Sequence, residues 1–411
     1  MARILHVLNT FRSVPSFLAP QLQTLREHGH ETFVAAGDSP DLIDAAALGI
    51  EAFPLPIVRT SDLKADAAAA RSVARLARRV RPDIVHTHSP KASLIGLAGA
   101  KLAGVRHRVQ HLRGLPHMTS TGWKRRLIVA AEQLTSQLAT LTICVSPSIR
   151  QQAIDDRVLS ASRSIAFGRG SGSGIDARGR FDPTTDAAIA AGRQFRQSNR
   201  IADDAVVIGF LGRLMEEKGI GTLAHAWSRL RSRHPEAILA VVGPVDDRLP
   251  LPESLLTSLR SDPQVRLLCD RWYPPTDIYP AIDVFALPSF REGFGMTALE
   301  ANAMAIPVVA SRIPGCLDSV DDGVTGTLAT LADPAELAEA IETYLVDPLL
   351  RRRHGQAGRR RALDLFDPTR FAAATASLYD GLAGGRLDDA IAAATAAFES
   401  RTVTPPVRRA A

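Results

Sequence analysis

Cysteine, aromatic side chains and long apolar runs are all scarce in this chain, and each scarcity excludes a class of protein. The cysteines number three in 411 residues, Cys144, Cys269 and Cys316, scattered and without metal-ligand spacing. That excludes a disulfide framework and predicts buried thiols in a reducing compartment. Aromatic residues make up only 5%, so alanine and leucine must fill much of any core. No apolar run approaches the roughly 20 residues that span a bilayer. Residues 4–8 read as a strand rather than the apolar centre of a signal peptide, because no cleavage pattern follows. The expected location is the cytoplasm. Zinc-finger spacing and interleaved aromatic and basic residues are missing too, so nucleic acid is not an expected partner.

What is present suits a globular protein of two domains. Apolar residues make up 45%, ordinary for a packed protein, and the length is comfortable for two domains. Strand patterns near 4–8, 30–36, 50–54, 83–88, 108–112 and 141–145 alternate with helical patterns near 17–28, 63–79, 92–103 and 123–138. A second set opens at 206–211 and continues with strands at 238–242, 265–269, 284–287 and 308–310, then helices at 334–345 and 349–365. This alternation predicts an α/β protein with parallel, doubly wound sheets. Between 167 and 176 the glycines simply alternate, Gly168, Gly170, Gly172 and Gly174, and we read the run as a flexible crossing. The expected layout is a first domain at 1–178, a second at 179–368, a helix at 369–382 and a partly disordered tail at 383–411.

The formal net charge of +6 is unevenly held. Residues 1–178 carry the basic excess and the remainder is slightly acidic. A basic half suits an anionic membrane or a phosphorylated substrate, although any one arginine is more simply a solvated one.

The most informative stretch is 287–302. It follows an apolar strand near 284–287, turns through Gly293 and Gly295, and enters a helix near 296–305. Glu292 lies in the turn and Glu300 in the helix. Glycines at a helix start let a ligand approach bare amides, and the dipole there favours an anion. Eight residues rise roughly 12 Å along a helix, so the two carboxylates can touch different parts of one extended ligand. Ionised carboxylates only accept, which suits hydroxyl pairs. A nucleotide sugar combines an anion with hydroxyls. The plainer reading is a loop glutamate and a solvated helix glutamate. Residues 212–219 follow the first strand of the second set, where ligands of open α/β sheets bind. There Arg213, a planar fork, and Lys218, a point charge, could hold a diphosphate; the plainer reading is a basic turn.

The stretch Arg291-Glu-Gly-Phe-Gly-Met-Thr-Ala-Leu-Glu300 resembles the signature of retaining glycosyltransferases of the GT-B fold, family 4. Gly212-Arg-Leu, followed by Lys218-Gly219, resembles that family's diphosphate-binding segment. The resemblance implies two Rossmann-like domains with a cleft between them, a nucleotide-sugar donor, commonly a UDP-sugar, and transfer with retention. It implies donor contacts from Gly212, Arg213, Lys218, Glu292, Gly293, Phe294, Gly295 and Glu300, with catalytic roles for Glu292, Arg213 and Lys218. Glu292 would hold hydroxyls of the transferred sugar and Glu300 the ribose. Glycosyl transfer passes through an oxocarbenium-like state, and the charge gained by the leaving group would be stabilised by Arg213, Lys218 and amides near 293–295. No Asp-x-Asp occurs, so no metal and no other cofactor are expected; the two cations would replace a metal clamp. The family's last helix crosses back to the first domain, and 369–382 could be that helix.

The first domain would then hold the acceptor. Val85-His-Thr-His-Ser-Pro-Lys-Ala-Ser93 ends a strand and opens a helix. His88, Ser89 and Lys91 can point into the cleft, and Ser89 or Ser93 can cap the helix. This segment and His111-Leu-Arg-Gly-Leu-Pro-His117 resemble those of a subset acting on undecaprenyl-diphosphate-linked sugars in bacteria. The resemblance implies a lipid-linked glycan acceptor and a protein peripheral on the inner face of the cell membrane. Trp123 beside Lys124, Arg125 and Arg126 at a helix start suits an anionic membrane surface. The acceptor-side candidates are His88, Lys91, His111, Arg113 and His117.

The chain departs from the family twice. Many members have His-Gly where Arg113-Gly114 stands, so that histidine cannot be carried over; Arg113, His111 or His117 could take a polar role. The family's Gly-Gly is missing from the loop at 9–15. Three other readings stay open: a sugar-nucleotide epimerase of similar fold, a phosphorylase-like enzyme, for which no pyridoxal-phosphate lysine motif is evident, and a non-enzymatic membrane scaffold.

Overall fold

The computed structural model describes residues 1–11, 14, 18–37, 45, 49–58, 62–246, 250–270 and 272–400. Part of the loop at 9–15, the start of the helix expected at 17–28 and the tail from 402 lie outside the described residues. The chain forms two compact units: Met1–Gly174 with the segment from Pro368 onward, and Ile175–Asp367.

In the first unit β1 (Arg3–Leu8), β2 (Glu31–Gly37), β3 (Glu51–Leu55), β4 (Ile84–Thr87), β5 (His107–Leu112), β6 (Leu141–Cys144) and β7 (Ser164–Ile165) form one parallel sheet, ordered β3-β2-β1-β4-β5-β6-β7. The connecting helices are α1 (Ala19–Glu27), α2 (Leu63–Val80), α3 (Pro90–Leu102), α4 (Gly122–Leu138) and α5 (Pro147–Asp155). Strand order reverses between β1 and β4, the place where such sheets bind ligands. Small residues let α2 and α3 pack tightly: a Cβ on Gly99 would lie 2.5 Å from the Ala70 carbonyl oxygen. Alanines 69, 70, 77, 92 and 100 join Leu5, Val7, Phe33 and Val85 in that core, as the shortage of aromatics predicts.

The second unit contains α6 (Asp186–Ser198), β8 (Val207–Leu211), α7 (Ile220–Leu230), β9 (Ile238–Val242), α8 (Glu253–Ser261), β10 (Val265–Leu268), α9 (Pro275–Ile278), β11 (Val284–Leu287), α10 (Met296–Ala303), β12 (Val308–Ser311), α11 (Cys316–Ser319), β13 (Gly326–Ala329), α12 (Pro334–Val346) and α13 (Pro348–Leu365). Its sheet is also parallel, ordered β10-β9-β8-β11-β12-β13, with the reversal between β8 and β11. The central strands β8, β9 and β11 are buried along their whole length, which explains their unbroken apolar runs.

Two helices end the described chain, α14 (Pro368–Gly384) and α15 (Leu387–Glu399), both in the first unit. The expectation of a tail from 383 is corrected here. Ala390, Ala394 and Phe398 recur every fourth residue and are buried, an apolar stripe that docks on α14, where Phe398 meets Phe371 edge-on at 4.8 Å. The glycine run is not a free crossing either. A Cβ on Gly168 would meet the Phe398 ring at 2.2 Å, and one on Gly172 would meet His111 Nε2 at 2.9 Å. Among the described residues no helix is long and apolar enough to cross a membrane.

Candidate active site

In the second unit the reversal of strand order brings two separate motifs together. After β8, Gly212 donates its N–H to Val242 O at 3.0 Å and Leu214 donates to Pro244 O at 2.8 Å, fixing this loop to the one after β9. Arg213 Nη1 donates to Asp246 Oδ2 at 2.5 Å. Asp246 is buried while the Arg213 side chain is 56% exposed, so a buried carboxylate anchors a guanidinium whose remaining donors face solvent. A short turn, Glu216–Lys218, leads to Gly219, which is left-handed at φ +72° and caps α7. A Cβ on Gly219 would lie 1.9 Å from Pro288 O, so only glycine permits this approach to the loop after β11.

That approach places Lys218 Nζ 2.6 Å from Glu292 Oε1. Ser289 Oγ donates to the same oxygen at 2.8 Å. A second pair, Arg291 Nη2 to Glu217 Oε2, spans 2.8 Å, and the Phe290 N–H donates to Glu217 O at 2.8 Å. Two ion pairs and a main-chain bond thus join the loops at the carboxyl ends of β8 and β11. Cys316, buried at the start of α11, lies near this junction; burial and then the Glu292 charge hold its thiol well above the usual range.

Gly295 is left-handed at φ +79° and caps α10. A Cβ there would approach Ser319 Oγ to 3.1 Å and Leu287 Cδ2 to 3.3 Å. The Phe294 ring is 2% exposed and packs on Phe366 at 5.5 Å, which leaves the donor contact expected of this residue to its main chain. Glu300 on α10 accepts from the Tyr279 hydroxyl at 2.9 Å. Solvent still reaches part of it, but the surrounding protein pushes its pKa up to about 7, against the opposing pull of Tyr279 and Arg180. Its capacity to accept from hydroxyls therefore changes near neutral pH.

In the first unit the acceptor-side candidates separate. His88, just past β4, is buried, with Nε2 2.9 Å from His6 Nδ1. His111 on β5 is buried and stacks on His86 at 5.6 Å. Arg113 follows β5, and burial lowers its pKa to about 10. Lys91 does not stand open to a ligand: Asp66 on α2 holds it at 2.8 Å. His117 is also corrected. Its Nδ1 bonds Glu132 on α4 and its Nε2 lies 2.9 Å from Asp156, so two carboxylates lock it in the interior. Ser89 occupies the cap position of α3 without making the cap bond; Asn9 Oδ1 accepts the Ala92 N–H instead, at 2.8 Å. Residues missed in the sequence are Asp246, Tyr279, His6 and Tyr379, the last bonded through its hydroxyl to Nδ1 of His86, a histidine of the 85–93 stretch.

Known proteins resemble this chain in sequence and in fold. Residues 192–361 match the family described as glycosyl transferases group 1, and residues 17–168 match the glycosyl transferase 4-like domain. The capsular polysaccharide biosynthesis glycosyltransferase CapM of Staphylococcus aureus is 27% identical over 364 residues, 89% of this chain and 93% of that one. D-inositol 3-phosphate glycosyltransferase of Corynebacterium kroppenstedtii is 37% identical over 176 residues, 41% of this chain but only 38% of that one. Among solved structures, Anabaena HepE in complex with UDP and glucose gives a TM-score of 0.75 at 21% identity, over 93% of this chain and 100% of the other. Sucrose-phosphate synthase from Thermosynechococcus elongatus gives 0.77 at 20% identity, over 93% and 100%. At such identities the structures establish the fold, two Rossmann-like units of the GT-B type.

Proposed function

Because the chain is a glycosyltransferase of the GT-B fold, built from a group 1 domain and a 4-like domain, we propose that it moves a sugar, with retention, from a UDP-sugar to a glycan carried on a polyprenyl diphosphate. The observation that carries this reading is the junction at the β8–β11 reversal, where Lys218 meets Glu292. It sets a cation for the donor diphosphate against a carboxylate for the hydroxyls of the departing sugar. Arg213, anchored by Asp246, supplies the second cation. As the glycosidic bond breaks, negative charge grows on the diphosphate, and fixed cations stabilise it without reorganising. Two such cations make a metal at the donor unnecessary. Glu300, its carboxyl tuned to about 7, takes the ribose hydroxyls.

The likeness to CapM supports an acceptor from surface-polysaccharide assembly, and UDP in the related HepE structure supports that nucleotide. For the membrane, α4 exposes Trp123, Leu127 and Leu134 on one face beside Lys124 and Arg126. Apolar and basic residues so arranged suit peripheral attachment at an anionic leaflet, with the acceptor's lipid left in the bilayer.

The test is incubation with labelled UDP-sugars, with and without a polyprenyl-diphosphate-linked acceptor, followed by NMR of the product anomer. Transfer that depends on the acceptor and preserves the anomeric configuration is expected. Conversion of the nucleotide sugar without acceptor would identify an epimerase instead, and an inverted product would refute retention.

A further inference from the structure

His6, His86 and His88 stand together inside the first unit, and nothing in the donor chemistry uses them. His6 on β1 pairs in register with His86 on β4. His88 follows two residues later, its N–H on Val7 O at 3.1 Å, so hydrogen-bonded backbone fixes all three. Each is at most 3% exposed. One ring nitrogen from each lies within 4.8 Å of the other two. At 2.9 Å, His6 Nδ1 and His88 Nε2 can neither both be bare nor both carry protons; they share one proton or one cation. His6 Nε2 and His86 Nε2 have no partner among the described residues, and neither has either nitrogen of His111. Unpaired buried polar atoms are rare in folded proteins. The Tyr379 hydroxyl on His86 Nδ1 fixes that ring's orientation, as outer partners of metal-bound histidines do.

We propose that His6, His86 and His88 form a binding site for one transition-metal ion of borderline softness, of which Zn2+ is the type. Imidazole nitrogen is the ligand type that suits such a metal. Among the described residues no carboxylate joins the group, which disfavours Mg2+ and Ca2+.

The test uses the full chain stripped by chelator. Titration with Co2+ should give a visible d–d band that saturates at one ion per chain, and Zn2+ should displace it and raise Tm. The double variant His86→Gln/His88→Gln should lose both responses while still unfolding cooperatively. His225→Gln, an exposed histidine of the second unit, should keep them. If the double variant does not fold, X-ray absorption of Zn2+-loaded wild type decides, with scattering from three imidazoles expected. The absence of a band in wild type, an unchanged band in a folded double variant, or sulfur in the metal's coordination shell would overturn the proposal.

Discussion

The hydroxyl of Tyr279 donates to Oε2 of Glu300 at 2.9 Å, so a fully buried tyrosine tunes the charge of the glutamate assigned to the ribose. Burial pushes that carboxyl up to about 7. Below this pH it is protonated and loses acceptor capacity, so UDP should bind more tightly as pH rises through about 7. Tyr279→Phe removes a bond that favours the ionised form, so the midpoint should move to higher pH. The raised pKa also adds stability that is full below the ordinary value of 4.5 and lost as pH rises to about 7. Calorimetric titration with UDP between about pH 6 and pH 8 measures the first two effects; a wild-type affinity flat across that range would refute them.

Glu292 and Glu300 should separate in kinetics. Glu300→Ala should mainly weaken donor binding, and Glu292→Ala should mainly lower kcat. A hydrogen bond to a charged group is worth about 1.5–3 kcal/mol, or roughly ten- to a hundredfold in each quantity. UDP binding and initial rates together decide, and two variants that bind and turn over like wild type would end the assignment.

Arg213→Ala and Lys218→Ala should each reduce kcat strongly, and added Mg2+ or Mn2+ should not restore it. Asp246→Asn leaves the Arg213 guanidinium without its anionic anchor, so it should raise the donor KM more than it lowers kcat. Rescue of Arg213→Ala by Mg2+ would show that a metal serves the diphosphate after all.

Gly219→Ala should destabilise the protein by about 1–3 kcal/mol, the usual cost of overpacking, because the new Cβ meets Pro288 O at 1.9 Å. Turnover should also fall in the folded fraction, since Lys218 is its neighbour. Gly221→Ala is the control: it lies in α7 with nothing within 4 Å of the added carbon and should be neutral or mildly stabilising. Thermal melts of the two variants compare them directly.

Wild type should sediment with anionic vesicles at low salt and be released at high salt. Lys124→Ala with Arg126→Ala should weaken this. Arg125 is left in place because it bonds Asp156 at 3.2 Å. Equal recovery with neutral and anionic vesicles would remove the electrostatic argument.

The central strands β8, β9 and β11 were legible because they are unbroken apolar runs, and the Glu292–Glu300 unit was legible because it is contiguous. Partnerships were not. Lys218 and Glu292 meet only because strand order reverses between β8 and β11, which no local pattern encodes. Asp66, Asp246 and Tyr279 find Lys91, Arg213 and Glu300 by the same non-local route. The burial of the Phe294 ring was not legible, because the glycines that flank it read as an open turn. The α15 helix escaped notice because its stripe is mostly alanine, which reads weakly as apolar.

The return of the chain at Pro368 sets an order of assembly. The second unit is one continuous stretch, Ile175–Asp367, and can complete its sheet as soon as that stretch has left the ribosome. The first unit cannot. Its α14 supplies Tyr379, wholly buried against the strand face that carries His86, and arrives just over two hundred residues after β7. During synthesis the earlier-made half therefore waits, with apolar and histidine-lined surface uncovered, for the later-made half to finish. Nascent chains stalled before Pro368 should engage chaperones through their N-terminal half, and full-length chains released from the ribosome should no longer do so.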